Sequence, residues 1–183
     1  ATMGIYLQAL NTRYGPSKDL ASLAFKSQLI NYEAMRPMFE AHVINRKQAS
    51  GVVQWMLNSP WPEFYWQLYD YYMMPNGAYF GTKKALQPVT LIYNYHDRKV
   101  YISNDTRQSV SQHKALIQLY DAQSKILMKR EIPLILVPDA VHAIAEIPAL
   151  TAAQSIAFLD LKILDSKGNL VADNFYWLAS RMD

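Results

Sequence analysis

A chain of 183 residues with a hydrophobic fraction of 51% has enough apolar material to bury one large core or two small ones. Charged residues make up 18%, the formal net charge is +3, and no five like charges stand in a row. This composition excludes intrinsic disorder and a polyanion-binding tail, so no nucleic-acid partner is expected. The absence of cysteine removes disulfides, thiolate zinc sites and cysteine nucleophiles together. No apolar run reaches the 18 or so residues a membrane helix needs, so no membrane partner is expected, and Ala1-Thr2-Met3-Gly4 lacks the charged-then-apolar profile of a secretion signal.

In chain order, Ile5-Tyr6-Leu7 reads as a weak strand. From Ser17 to about Asn45 the apolar residues Leu20, Leu23, Ala24, Ile30, Met35, Met38 and Phe39 recur near the three-and-four spacing of a helix face. Pro16-Ser17 supplies a turn and an N-cap hydroxyl. Pro37 cannot donate to Glu33 and is expected to kink or divide the helix. Gly51-Val52-Val53-Gln54-Trp55-Met56-Leu57 has the profile of a buried strand, stopped by Asn58-Ser59-Pro60-Trp61-Pro62. Glu63 to Met74 then reads as a short aromatic helix, ended by Pro75-Asn76-Gly77. Helix, buried strand, loop and helix together form the repeating unit of a parallel α/β structure.

Beyond a short basic connection at Gly81 to Pro88 the pattern changes to alternation. Val89, Leu91, Tyr93 and Tyr95 share one face of a strand, and His96-Asp97-Arg98 turns the chain into Val100 to Ser103. Further strands are expected at Ala115 to Tyr120, Ile126 to Leu136, Val141 to Ile147, Ser155 to Leu164 and Leu170 to Leu178. Asp121 to Ser124 and Asp165 to Asn169 are turn sequences, the second marked by Gly168, which can take positive φ. Seven short strands over about 95 residues match an immunoglobulin-like sandwich. The expected fold is thus an α/β segment over residues 1–84, followed by an all-β immunoglobulin-like sandwich over 85–183.

A parallel strand needs neighbours, and an eight-stranded barrel takes roughly 250 residues. Residues 1–84 cannot close one. Either earlier strands lie outside this chain, or the first half is a small helical cap on the sandwich.

The block Gly51 to Pro62, with Trp66-Gln67-Leu68-Tyr69-Asp70-Tyr71-Tyr72 and Tyr79-Phe80-Gly81-Thr82-Lys83-Lys84-Ala85, resembles the last strand and helix of the catalytic barrel of glycoside hydrolase family 2. It is most similar to the exo-β-glucosaminidase and β-mannosidase branch. Asn31 to Arg36 resembles that family's penultimate barrel helix, and Asp173 to Leu178 the last strand of its sandwich. The resemblance implies residues 1–84 as the end of an incomplete TIM barrel, and a parent enzyme that releases β-linked glucosamine or mannose from non-reducing ends with retention. Retention uses two glutamates whose carboxyl groups stand about 5 Å apart; the resemblance places both on earlier strands, and Ile5 to Thr12 carries no carboxylate. It also favours a periplasmic or extracellular location.

By the same resemblance Trp55 forms the floor of the subsite for the cleaved sugar, presenting its ring to an apolar sugar face; the alternative is a core tryptophan. Asn58 and Trp61 lie in the following loop, where such barrels place their sites, as hydroxyl and stacking contacts or as turn-formers. Of the five glutamates, Glu33 and Glu40 are expected on the solvated side of the long helix, Glu131 and Glu146 on sandwich strands, and Glu63 at a helix start, favouring free N–H groups. None forms a catalytic pair. His42, His96, His113 and His142 show no ligand spacing, serines lack the Gly-x-Ser-x-Gly elbow, and no glycine loop cradles phosphate; no metal or cofactor is expected. The expected partners are carbohydrate and the remainder of the parent enzyme. Self-association is also expected, because the Val52 to Leu57 edge lacks neighbours. The other readings are a carbohydrate-binding sandwich using Tyr93, Tyr95 and Tyr101, and a purely structural module.

Overall fold

The structure is a computed structural model and describes residues 2–63, 67–151 and 154–180. It divides into two compact units, one built from Ala1–His42 and Arg46–Leu86, the other from Val43–Asn45 and Gln87–Met182.

The first unit holds three helices: α1 (Thr2–Tyr14), α2 (Leu20–Asn45) and α3 (Gly77–Ala85). Ile5-Tyr6-Leu7 lies within α1 rather than in a strand. The helix buries Leu10, and Gly15, at φ +73°, stops it by donating its N–H to Asn11 O at 2.9 Å. Arg13 reaches Glu33 of α2 at 3.7 Å. Lys26 Nζ donates to the carbonyls of Gly15 and Pro16 at 2.8 and 3.0 Å, fastening the connection.

The N-cap of α2 is Asp19, not Ser17. Its carboxylate accepts from Ser22 N at 2.7 Å while Ser22 Oγ accepts from Asp19 N at 3.1 Å, a reciprocal box that satisfies two first-turn donors. α2 also runs through Pro37 without dividing. Proline costs a helix interior about 3 kcal/mol, but Met35 and Phe39, on either side of it, are buried in one cluster with Ala78 and Ala85 of α3. Packing therefore holds the two halves of α2 in line.

Gly77 and Gly81 let α3 approach α2 closely. A Cβ on Gly77 would stand 1.9 Å from Gln28 O, and one on Gly81 2.6 Å from Tyr32 O. Glu40, placed on the solvated side by its spacing, is instead buried, its side chain 3% exposed and 3.8 Å from the equally buried Arg36, whose guanidinium lies over the Tyr32 ring. The sequence pattern misplaces Glu40 because it cannot register the second helix that covers this side.

Between α2 and α3 the expected buried strand at 51–57 is not formed. Val52, Val53, Trp55 and Leu57 are exposed, and no ladder runs along them; among the described residues the segment carries only an isolated bridge from Asn58 to Tyr69. Apolarity alone does not make a strand, because a strand also needs a ladder of backbone hydrogen bonds along its length. The helix expected over Glu63 to Met74 is likewise absent at 63 and 67–74, which form turns and bridges; residues 64–66, with Trp66, lie outside the described residues. Pro75-Asn76-Gly77 starts a helix rather than ending one.

The second unit is a seven-stranded sandwich. One sheet has the order β1 (Val89–Asn94), β2 (Lys99–Asn104), β5 (Ala140–Glu146). The other has β4 (Ile126–Leu136), β3 (Val110–Asp121), β6 (Ile156–Leu164), β7 (Leu170–Ala179). All seven fall where alternation in the sequence placed them. Inward-facing Leu91, Ile102, Ile117, Leu119, Leu159, Leu161 and Tyr176 close one core. Two hairpins share a device: Asp121 Oδ1 accepts from Gln123 N and Lys125 N, both at 2.9 Å, and Asp165 Oδ1 from Lys167 N and Asn169 N, both at 2.8 Å. Each turn has a left-handed residue at the same place, Ser124 at φ +64° and Gly168 at φ +84°. Between the sheets, the buried Asn174 of β7 donates from Nδ2 to Leu91 O of β1 at 3.2 Å and to Tyr176 Oη at 2.6 Å.

Candidate functional site

Trp55, Asn58 and Trp61 all lie on the irregular segment between α2 and α3, which is pinned at its far end. Leu57 O accepts from Leu68 N and Tyr69 N, both at 3.0 Å, and Leu68 O accepts from Asn76 N at 3.2 Å. Asn76 in turn caps α3 through Oδ1, which accepts from Tyr79 N at 3.3 Å, while its Nδ2 donates to Gln67 O at 2.6 Å. Gly77 N donates to Gln28 Oε1 at 2.6 Å. A continuous line of hydrogen bonds thus runs from Leu57 through the α3 cap to α2. The steps at the α3 cap depend on the Asn76 and Gln28 side chains, which stand where backbone groups need partners.

Trp55 is 76% exposed, so it is not a core tryptophan in this chain; its peptide bond to Met56 is cis. From 54 to 58 the chain alternates, with Gln54, Met56 and Asn58 half-buried and Trp55 and Leu57 open to solvent. Asn58 Nδ2 lies 3.4 Å from Ser59 O, and its backbone bridges to Tyr69. Trp61, also exposed, donates from Nε1 to Glu63 Oε2 at 3.1 Å. The Glu63 carboxylate, expected at a helix start, thus accepts from the Trp61 indole. Tyr69 packs against Tyr79 with ring centroids 5.2 Å apart; desolvation, then the neighbouring Tyr79, holds its phenol above the ordinary value.

The tyrosines considered as a binding platform make contacts within the sandwich. Tyr93 is buried and meets Tyr95 and Tyr176 edge-on, with centroids 5.0 and 5.8 Å away. Tyr101 donates its hydroxyl to Asp97 Oδ2 at 2.6 Å. Of the glutamates, Glu33 pairs with Arg13, Glu40 with Arg36, and Glu131 with Lys114 and Lys129.

Residues 96–180 match the family model of the mannosidase Ig/CBM-like domain. Along the whole chain, identity is 33% over 183 residues to the exo-β-D-glucosaminidase of Hypocrea virens and 37% over 189 residues to that of Streptomyces avermitilis. These matches cover 98% and 100% of this chain but 21% of each relative, so the chain spans about a fifth of their length. The crystal structure of Amycolatopsis orientalis exo-chitosanase CsxA superposes at a TM-score of 0.87, with 35% identity, over 96% of this chain and 22% of that one. A β-D-mannosidase from Dictyoglomus thermophilum shares the fold at a TM-score of 0.76 and 20% identity, over 95% of this chain and 22% of that one.

The three-plus-four sandwich is therefore the immunoglobulin-like domain of a glycoside hydrolase lineage. The chain as a whole is related to the exo-β-D-glucosaminidases and β-mannosidases of glycoside hydrolase family 2.

Proposed function

We propose that residues 1–84 are the closing portion of a catalytic (β/α)8 barrel, and residues 85–183 the sandwich that supports it, in a retaining hydrolase of β-linked glucosamine or mannose. Trp55 is the stacking floor of its sugar subsite, with Asn58 and Trp61 as hydroxyl and stacking contacts. The carrying observation is the 51–57 segment. From Gln54 on it alternates like a strand, it exposes Val53 and Trp55, and among the described residues no ladder runs along it, which is the state of a barrel strand whose neighbours belong to other parts of the protein. Glu33, Glu40 and Glu131 are held in ion pairs and Glu63 by the Trp61 indole, and Glu146 lies on a sandwich strand; retention needs two carboxyl groups about 5 Å apart, so the chain alone is inactive.

The test has two arms. The isolated chain is assayed on nitrophenyl β-D-glucosaminide and β-D-mannoside; turnover above background overturns the placement of the catalytic glutamates elsewhere. In the full-length parent, Trp55→Ala is expected to lower kcat/KM by roughly tenfold or more, as the loss of a buried aromatic contact does. An unchanged value removes Trp55 from the site. The exposed apolar edge also favours self-association of the isolated chain, and a clean monomer by light scattering counts against the open-barrel reading.

A further inference from the structure

We propose that the outer face of the four-stranded sheet is an oligosaccharide-binding platform built from sandwich residues alone. Register carries the argument. Tyr120 of β3 stands directly opposite Phe158 of β6, and Phe158 directly opposite Trp177 of β7. Directly opposed residues share a face, and the core side is taken by the alternating set Leu119, Leu159, Tyr176 and Leu178. The three rings therefore form one row across three adjacent strands, pointing away from the core. Strand spacing of about 4.8 Å puts the outer two rings about 10 Å apart, the scale of two consecutive pyranose rings. Phe175 extends the row, its ring nearly parallel to that of Phe158, at 17° and 5.8 Å. Trp177 and Phe175 remain 49% and 44% exposed.

Folding does not call for this arrangement, because the core is complete on the other side of the same strands. Beside the aromatics on β3 and β6 stand polar residues: Gln118 opposes Asp160, with Phe175 next in register on β7. Lys162 Nζ holds Asp160 Oδ2 at 2.6 Å, so the charge there is balanced while the amide and carboxylate oxygens still offer hydrogen bonds. Partly exposed aromatic rings beside a balanced ion pair and an amide match a ligand with apolar C–H faces edged by hydrogen-bonding groups. A polyanion would need unbalanced cations, and an obligate protein interface would favour an apolar face throughout. The choice of a β-linked glucosamine oligomer as occupant rests on the proposed function; the platform itself rests on the register.

The full chain is titrated with glucosamine hexamer and, separately, mannohexaose, following tryptophan fluorescence and heat. Binding of glucosamine hexamer is expected, weakened roughly tenfold by Trp177→Ala and unaffected by substitution of an exposed aromatic of the first unit, Phe25→Ala. Phe175→Thr is the second variant, should Trp177→Ala fail to fold, and is expected to weaken binding as well. Binding of neither sugar overturns the platform, as does binding that Trp55→Ala abolishes and both platform variants retain. A dimer in sedimentation that Trp177→Ala dissociates also overturns it, by making the face a contact between copies. Binding of mannohexaose alone supports the platform and overturns glucosamine as the sugar.

Discussion

Replacing Gly77 with alanine tests the claim that α3 is held against α2 by backbone proximity. The new Cβ would sit 1.9 Å from Gln28 O and 2.8 Å from Gln28 C, where ordinary contact begins near 3.4 Å. The obstacle is helix backbone, which cannot rotate aside as a side chain can. α3 must withdraw by about 1.5 Å, more than dispersion contacts survive. That shift breaks the 2.6 Å bond from Gly77 N to Gln28 Oε1 and opens the Met35, Phe39, Ala78 and Ala85 cluster. Overpacking costs 1–3 kcal/mol in typical cores, and a backbone clash belongs at the top, about 3 kcal/mol. Alanine's better helix propensity offsets at most about 1 kcal/mol. Gly4, within α1 and with nothing within 4 Å of its would-be Cβ, is the control: Gly4→Ala should stabilise by about 0.5 kcal/mol. Urea unfolding followed by helical circular dichroism measures both. A Gly77→Ala protein within 1 kcal/mol of the parent, or one moving in the same direction as Gly4→Ala, refutes the close-packed interface.

Asn174→Val removes a buried amide that bonds to both Leu91 O and Tyr176 Oη; a loss of about 1–3 kcal/mol is expected in the unfolding of the sandwich, monitored by near-ultraviolet circular dichroism. Partial burial alone would raise the pKa of Asp97, but hydrogen bonds from the Tyr101 hydroxyl and Lys99 N–H outweigh it and hold the carboxyl below the ordinary value. A depressed folded-state pKa stabilises above the unfolded value of about 3.9 and is lost as pH falls through the folded one. Asp97→Asn should therefore be less stable than the parent near neutrality and converge with it in acid, and parallel stability curves at all pH would contradict this. Trp55→Ala in the isolated chain should change stability by no more than about 0.5 kcal/mol, because the ring is largely exposed; a thermal melt showing a larger loss would mean it packs after all.

The sandwich was legible because its information is local. Alternation at Val89 to Tyr95 and Ile156 to Leu164, and the Asp-initiated turns, need no knowledge of the rest of the chain. The first unit was not, for the same reason inverted. Gly51 to Leu57 carries the composition of a buried strand, but composition does not supply the neighbouring segments a strand must pair with, and no ladder runs along it among the described residues. Pro37 and Glu40 were misread because tertiary cover decides both: the α2–α3 contact keeps the proline inside a helix and buries the glutamate with Arg36. The Tyr120, Phe158 and Trp177 row could not be found from sequence because it depends on the register of three strands, and a shift of one residue in either pairing would dismantle it.

Two apolar sheet faces pressed together resist separation, yet they barely resist sliding, since a shift of two residues along a strand returns like side chains to like positions. Asn174 removes that freedom. Its amide finds Leu91 O in only one alignment of β7 over β1, and any other would strand a polar group in hydrocarbon at a cost of about 1–3 kcal/mol. A single asparagine thus acts as a detent, fixing how the two sheets are indexed against one another.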